Sequence, residues 1–366
     1  MNQIDSEKLK MFSFLLFSKL EGAVTSGMVH LGDQLGLYTA LASSPTPLTT
    51  AQLAHATGLN ERWVREWAYN QASAKLISTE TTPSISPSVN DDKFSLSAEQ
   101  AAVLANPDHP AFGIGMFHRL PQTMDALKHL PESFRTGVGR DYDSHGPEGA
   151  VGIERSFEPW NNANLIDTVL PALDGIVKRL SAGANVADIG CGAGGAVLMM
   201  ARRFPTSTFR GYDISAHALA RAAERLSNSG ITNASFHDPR VDSLPADHSV
   251  DFISTFDCIH DMTHPAQMMK LIRSALSIDG TWLLADIKAH DTFTLNAEKN
   301  PMAPLMYGIS VLSCLSSAMS SPDGAGLGTL GLSPATAQQM ALDAGFTRFQ
   351  RLNVDHAVNA FYEIRP

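Results

Sequence analysis

Apolar side chains recur near helical spacing from residue 6 to about residue 42, at Leu15, Leu16, Leu20, Val24, Met28, Leu31, Leu35 and Leu37. This spacing predicts a helical stretch, and its stripe is wider than a lone surface helix needs, so a self-association surface is expected. Thr49 to Ala54 starts a short helix that Gly58 stops. Asn60 is placed to cap the next helix, which carries Trp63, Val64, Trp67 and Ala68 on one face. After Leu76 and Ile77 a Ser-, Thr- and Pro-rich stretch runs to Asn90, and Lys93 to Ser97 reads as a returning strand. Helix-turn-helix followed by a β-ribbon is a winged-helix arrangement.

Ser97 to Leu104 reads as a capped helix, and Ala111 to Leu120 is apolar, ending in His118 and Arg119. A polar, glycine-rich loop follows, from Gly137 to Gly146, and then Phe157 and Trp160 lead into a helix through Leu165, Val169, Leu170, Leu173 and Val177. From residue 185 onward the pattern changes to short apolar runs alternating with amphipathic ones. Strands are expected at 186–190, 209–214, 234–237, 250–256, 281–287, 348–352 and 360–364, with helices near 193–203, 216–228, 266–277 and 334–344. Such alternation implies an α/β fold with a mostly parallel, seven-stranded sheet covered on both faces. The short link between the last two strands predicts a hairpin, with the final strand antiparallel. The chain thus divides into a winged-helix-like dimerisation domain (1–100), a helical linker and lid (101–180) and a ligand-binding α/β domain (181–366).

Charge narrows the partners. The formal net charge of the 366 residues is −10. Residues 1–100 carry seven basic against ten acidic side chains, and Arg62 and Arg65 alternate with Glu61 and Glu66. Binding to a phosphate backbone needs clustered Lys and Arg, so no nucleic-acid partner is expected. The apolar run Met11 to Phe17 is too short to span a bilayer. Three scattered cysteines, Cys191, Cys258 and Cys314, suggest neither a disulfide framework nor a zinc site. A cytoplasmic protein with no membrane partner is the expectation.

The chemistry concentrates at N-V-A-D-I-G-C-G-A-G-G-A-V, residues 185–197. Gly190, Gly192 and Gly195 satisfy the dinucleotide spacing G-x-G-x-x-G, while Asp188, Gly190, Gly192 and Gly194 satisfy D-x-G-x-G-x-G. The acid separates the two. A carboxylate at this turn repels a pyrophosphate and attracts a ligand that carries an ammonium group, such as S-adenosylmethionine.

In an open α/β sheet, ligands bind beyond the carboxyl ends of the strands. After the second strand, Asp213 is placed for the ribose hydroxyls, with Ile214 beside it; after the third, Asp238, with Asp242 as a rival, for an adenine amino group. The fourth ends in Phe256-Asp257-Cys258-Ile259-His260-Asp261, beside the expected methyl group. His260 and His264 spell H-D-M-T-H, but the pair follows a buried strand and runs into Pro265, so no metal is expected.

Residues 186–192 resemble motif I of the class I S-adenosylmethionine-dependent methyltransferases. With T-G-L-N-E-R-W-V-R-E-W at 57–67, F-S-L-S-A-E-Q-A-A-V-L-A at 94–105, F-D-C-I-H-D-M at 256–262, D-G-T-W-L-L at 279–284 and A-G-F-T-R-F at 344–349, nearly the whole chain is similar to one family. It comprises bacterial-type enzymes with an N-terminal winged helix, typified by a mycobacterial small-molecule methyltransferase. The resemblance implies S-adenosylmethionine as cofactor, bound around Asp188, Gly190, Cys191, Gly192, Gly194, Asp213, Ile214, Asp238, Asp242, Phe256 and Asp257. I-H-D-M is also similar to the H-D-W piece of plant small-molecule O-methyltransferases, which implies His260 as general base with Asp261 beside it, although Met262 stands where the tryptophan would be. A small-molecule acceptor is then expected against an apolar wall from Met302, Met306 and Tyr307, with Phe157 and Trp160 opposite. A transcriptional regulator that uses the fold as a cofactor sensor, and a nicotinamide-dependent oxidoreductase, are the alternatives.

Overall fold

The computed structural model describes residues 4–80 and 92–366. Most of the Ser-, Thr- and Pro-rich stretch before Asn90 therefore lies outside the described residues. The chain forms two compact units. One runs to Pro121 and includes Arg155–Pro159; the other comprises Gln122–Glu154 and Trp160–Pro366.

In the first unit, α1 (Ser6–Gln34) starts at Asp5, whose carboxylate accepts the Glu7 and Lys8 N–H groups. The helical stretch expected to 42 is two helices, because Gly36 adopts the left-handed conformation before α2 (Leu37–Ser43). Of α1 only Thr25, Val29 and Gly32 are buried. Met11, Phe12, Phe14, Leu16 and Phe17 stand exposed along its first half. After β1 (Leu48–Thr49), α3 (Thr50–Thr57) carries a reciprocal Thr49/Gln52 cap, and Asn60 caps α4 (Glu61–Ser73).

Helix α4 buries Val64, Trp67, Ala68 and Gln71, but Trp63 is 80% exposed. Trp63 lies about 100° round the helix from Val64, at the rim of the buried face, so it departs from the expected set. Arg62 and Arg65 pair with Glu66 and Glu61 at 2.6 and 2.7 Å. β2 (Ser78–Glu80) and β1 both pair antiparallel with β3 (Lys93–Ser95). The strand expected through Ser97 stops short because that serine caps α5 (Ala98–Leu104).

The second unit contains seven strands: β4 (Asn185–Ile189), β5 (Thr208–Tyr212), β6 (Ala234–His237), β7 (Val250–Phe256), β8 (Leu276–Ile287), β9 (Arg348–Arg351) and β10 (Asn359–Arg365). Their order is β6-β5-β4-β7-β8-β10-β9, and β10 runs antiparallel to both neighbours. Adjacent residues point to opposite faces: Ala187, Ile253 and Leu284 join one apolar cluster, Val186, Phe252 and Leu283 the other. Burial on both faces makes these strands read as continuous apolar runs. Helices Gly195–Arg203, Ala216–Ser227, Pro265–Ala275 and Pro334–Asp343 fall at the expected places, whereas β8 starts five residues early, at Leu276. The order reverses direction at β4, whose neighbours are β5 and β7.

Candidate active site

Strand order brings the expected residues to one edge in sequence: Asp238 after β6, Asp213 after β5, Gly190 after β4 and Asp257 after β7. The turn after β4 is held by its own backbone, since the Gly190 and Cys191 N–H groups donate to the Tyr212 carbonyl at 2.8 and 3.0 Å. All three motif glycines at 190, 192 and 194 have positive φ. Their surroundings differ. A Cβ at Gly190 would meet Cys258 at 2.6 Å and one at Gly194 the Phe236 ring at 2.3 Å, so these two are small for packing. Only Gly192 faces open space, where a ligand can approach the main chain.

Asp213 secures that glycine. Its Oδ2 accepts the Gly192 N–H and its Oδ1 the Ser215 N–H, each at 2.8 Å. Burial raises its carboxyl above the ordinary range, against the pull of those backbone donors. Asp188 is buried and accepts a 2.6 Å hydrogen bond from Ser254. Burial, with nearby Asp213 adding to it, pushes its carboxyl up to about 7. A carboxylate this poorly solvated is a prepared partner for an ammonium group.

The end of β7 is equally dry. Asp257 adopts a left-handed backbone conformation (φ +49°) unusual for a non-glycine residue. The Asn359 amide of β10 donates to its carboxylate. Burial and the neighbouring Asp286 raise its carboxyl. His260 lies in a 3-10 turn, Ile259–Asp261, with only 2% exposure, and its Nδ1 meets Asp286 Oδ1 at 2.6 Å.

Burial alone disfavours an imidazolium, but the Asp286 carboxylate outweighs it and holds His260 well above its ordinary value. Asp286 lies near the carboxyl end of β8 and was not among the residues expected from sequence. The available signal was a charged residue within the apolar run L-L-A-D-I. Asp261, in the same turn as His260, adds its charge to the field on Asp257.

The β6 end is wetter. Asp238 pairs with Arg240 at 2.7 Å, which holds its carboxyl below the ordinary range, and Arg240 also donates to the Ile214 carbonyl. Asp242 meets His237 at 2.7 Å. Asp143, also unforeseen, accepts the Ala216 N–H with one oxygen, while its other oxygen is buried with no hydrogen-bond partner.

Of the expected apolar wall, Met302, exposed, precedes the helix Ala303–Ile309, which carries half-buried Met306 and an exposed Tyr307 packed on Phe293. Trp160 stacks on Phe361 of the sheet, with ring centroids 5.6 Å apart, and Phe157 belongs to the other unit. Phe256 is half-buried at the β7 end. His264 stands just before the helix that Pro265 starts, so it does not share a helical face with His260. Among the described residues no group of three His, Cys, Asp or Glu side chains is arranged to hold a metal ion.

Residues 180–322 match the methyltransferase domain family, and residues 23–106 match the Rv2258c-like winged HTH domain family. No curated protein sequence matches the chain. Among solved structures, human N-acetylserotonin methyltransferase in complex with S-adenosylmethionine is similar over 100% of this chain and 98% of its own, with 17% identity and a TM-score of 0.70. The mitomycin 7-O-methyltransferase is similar over 99% and 100%, with 17% identity and a TM-score of 0.69. An O-methyltransferase family protein from Burkholderia thailandensis is similar over 99% and 98%, with 14% identity and a TM-score of 0.65. These likenesses show the fold over the full length of the chain.

Proposed function

From the premise that this chain is a class I S-adenosylmethionine-dependent methyltransferase with an N-terminal winged-helix domain, we propose that it methylates a small-molecule acceptor by in-line transfer, with oxygen the favoured atom. The observation that carries this reading is the edge between β5 and β7, where Gly192 faces open space, Asp213 braces it and a buried imidazole stands nearby. These residues fit the cofactor. Asp213 and Gly192 would hold the ribose side, Asp188 the ammonium group, and Asp238 or Asp242 the adenine amino group, with Cys191, Gly190, Gly194, Ile214, Phe256 and Asp257 shaping the cradle. When bound, S-adenosylmethionine supplies a methyl group on a sulfonium leaving group.

The chain's own part is positioning and proton removal. Asp286 fixes the Nδ1–H tautomer of His260, so Nε2 is the nitrogen that takes the acceptor proton, and the imidazolium formed is opposed by the same carboxylate. Met302, Met306 and Tyr307 offer apolar surface for the acceptor.

Self-association through α1 is part of the same proposal, supported by its exposed apolar side chains. So is a cytoplasmic setting, supported by three free cysteines. No helix among the described residues is long and apolar enough to cross a membrane.

Calorimetric titration with S-adenosylhomocysteine, run beside NADH, tests the central assignment. One site per chain for the first and none for the second is expected. Binding of NADH alone overturns it.

A further inference from the structure

Asp143 holds a buried carboxylate oxygen, Oδ1, that no hydrogen-bond donor among the described residues satisfies. It lies in the 3-10 turn Tyr142–His145, which Asp141 opens by accepting the Ser144 N–H at 2.9 Å. The loop around that turn is anchored to segment 310–319. Gly139 donates its N–H to the Met319 carbonyl at 2.7 Å, Ser316 Oγ accepts the Arg140 N–H at 2.9 Å, and Ser313 Oγ hydrogen-bonds His145 Nε2 at 3.0 Å. A Cβ at Gly139 would collide with the Ser316 carbonyl, so the two backbones meet as closely as main chains can.

From this anchorage Asp143 reaches the turn after β5. Its Oδ2 accepts the Ala216 N–H at 3.1 Å, at the start of the helix Ala216–Ser227. The preceding N–H, that of Ser215, goes to Asp213 Oδ1 at 2.8 Å. Two carboxylates from distant stretches of chain thus stand on consecutive N–H groups of one turn. Burial is the main cause that raises the Asp213 carboxyl, and the Asp143 charge adds to it.

Capping the helix needs only one of the two Asp143 oxygens. The other, buried and unpaired, costs free energy until a donor meets it. Arg240, which reaches the same turn through the Ile214 carbonyl, is already taken by Asp238. A ribose offers what is missing. Its cis-diol has two hydroxyl hydrogens to donate, whereas each Asp213 oxygen already accepts a backbone N–H, from Gly192 and from Ser215. Asp143 Oδ1 keeps its full accepting capacity.

We propose that Asp143 is a cofactor-binding residue: Oδ1 accepts a hydrogen bond from one ribose hydroxyl while Asp213 accepts the other. This rests on the assignment of S-adenosylmethionine to the site. The ribose is then gripped from two stretches of chain, the β5 end and the 137–146 loop. The second carboxylate is in place before the cofactor arrives, because its loop is anchored independently of the β5 turn. A ligand whose ribose lacks that hydroxyl, or carries a phosphate on it, meets an unpaired carboxylate instead.

The test is calorimetric titration of the full chain, and of Asp143→Asn and Asp143→Ala, with S-adenosylhomocysteine and its 2′-deoxy and 3′-deoxy forms. In both variants the affinity for S-adenosylhomocysteine is expected to fall about tenfold further than the affinity for one of the two deoxy forms, on the scale of a hydrogen bond to a charged group. A loop that has merely shifted would weaken all three ligands alike. Equal losses across the three, including no loss at all, therefore overturn the proposal, whereas a native chain that binds none of them removes the cofactor assignment on which it rests. Asp143→Asn keeps the size of the side chain and an oxygen for the Ala216 N–H, so it reports even if Asp143→Ala fails to fold.

Discussion

The two ends of the sheet's carboxyl edge handle charge in opposite ways. After β6, the Asp238 and Asp242 side chains are 27% and 63% exposed, and each has a basic partner of its own. After β7 and β8, the His260 and Asp286 side chains are 3% and 2% exposed, Asp257 lies beside them, and one imidazole serves both acids. A pair in water is screened, and its members change little when a neighbour arrives. A dry cluster with more carboxyl groups than cations holds protons near their release point, so a ligand can move them. The wet end is suited to recognition and the dry end to chemistry.

The sharpest way to break this contrast is at the dry end. His260→Gln is expected to lower turnover by about 100-fold or more while leaving cofactor affinity intact, the range for loss of a general base. Because Asp286 raises the imidazole's basicity, the neutral form needed for proton removal accumulates only above the ordinary histidine range. Native turnover should therefore climb as pH rises above the ordinary histidine range, and that limb should be absent from the variant. Near-native turnover at saturating cofactor removes His260 from the chemistry.

Next in size is Asp213→Ala. It strips a carboxylate from two backbone N–H groups and should weaken S-adenosylhomocysteine binding by about 1 to 3 kcal/mol in calorimetry. An unchanged affinity detaches Asp213 from the cofactor.

Asp188 sharpens the comparison through protons. With its carboxyl at about 7 in the free protein, an arriving ammonium favours the ionised form, so binding below neutrality must expel a proton. Affinity should then fall about tenfold per pH unit below that value. Calorimetry in buffers of unequal ionisation enthalpy should show proton release, and Asp188→Asn should abolish it. The same elevation acts on stability with the opposite sign: the contribution is present at acid pH and is lost as pH rises through about 7. Proton uptake on binding contradicts the assignment.

The smallest effect belongs to the wet end, where Asp238→Ala should change cofactor affinity by less than about fivefold, because its carboxylate is already held by Arg240. A loss as large as that of Asp213→Ala erases the distinction drawn between the two ends.

Much of this was legible from residue order. Strands buried on both faces print themselves as unbroken apolar runs, and glycine spacing with a following acid marks the turn after β4. Asn359 was not legible, and Asp286 showed only as a charge inside an apolar run, with no sign of its partner. Each joins its partner only because β8 and β10 take particular places in the sheet, and order across a sheet leaves no periodic trace along the chain. Trp63 was misjudged because a helix rim differs from a helix face by a single residue's rotation. The early start of β8 was hidden by Ser277 to Gly280, extended chain in which Ile278 is exposed between polar residues and a glycine.

The insertion of β10 between β8 and β9 also bears on biogenesis. In the described sheet β9 has β10 as its sole neighbour, yet it precedes β10 in the sequence. A nascent polypeptide halted between residues 351 and 359 would carry β9 with nothing to pair to, a bare edge of β8, and Asp257 without the amide of Asn359. Synthesis runs from the amino terminus while assembly of this edge waits for a later segment. Charge organisation at the dry end therefore waits until β10 has been made, and during that interval the open strand edge is the surface a chaperone would have to guard.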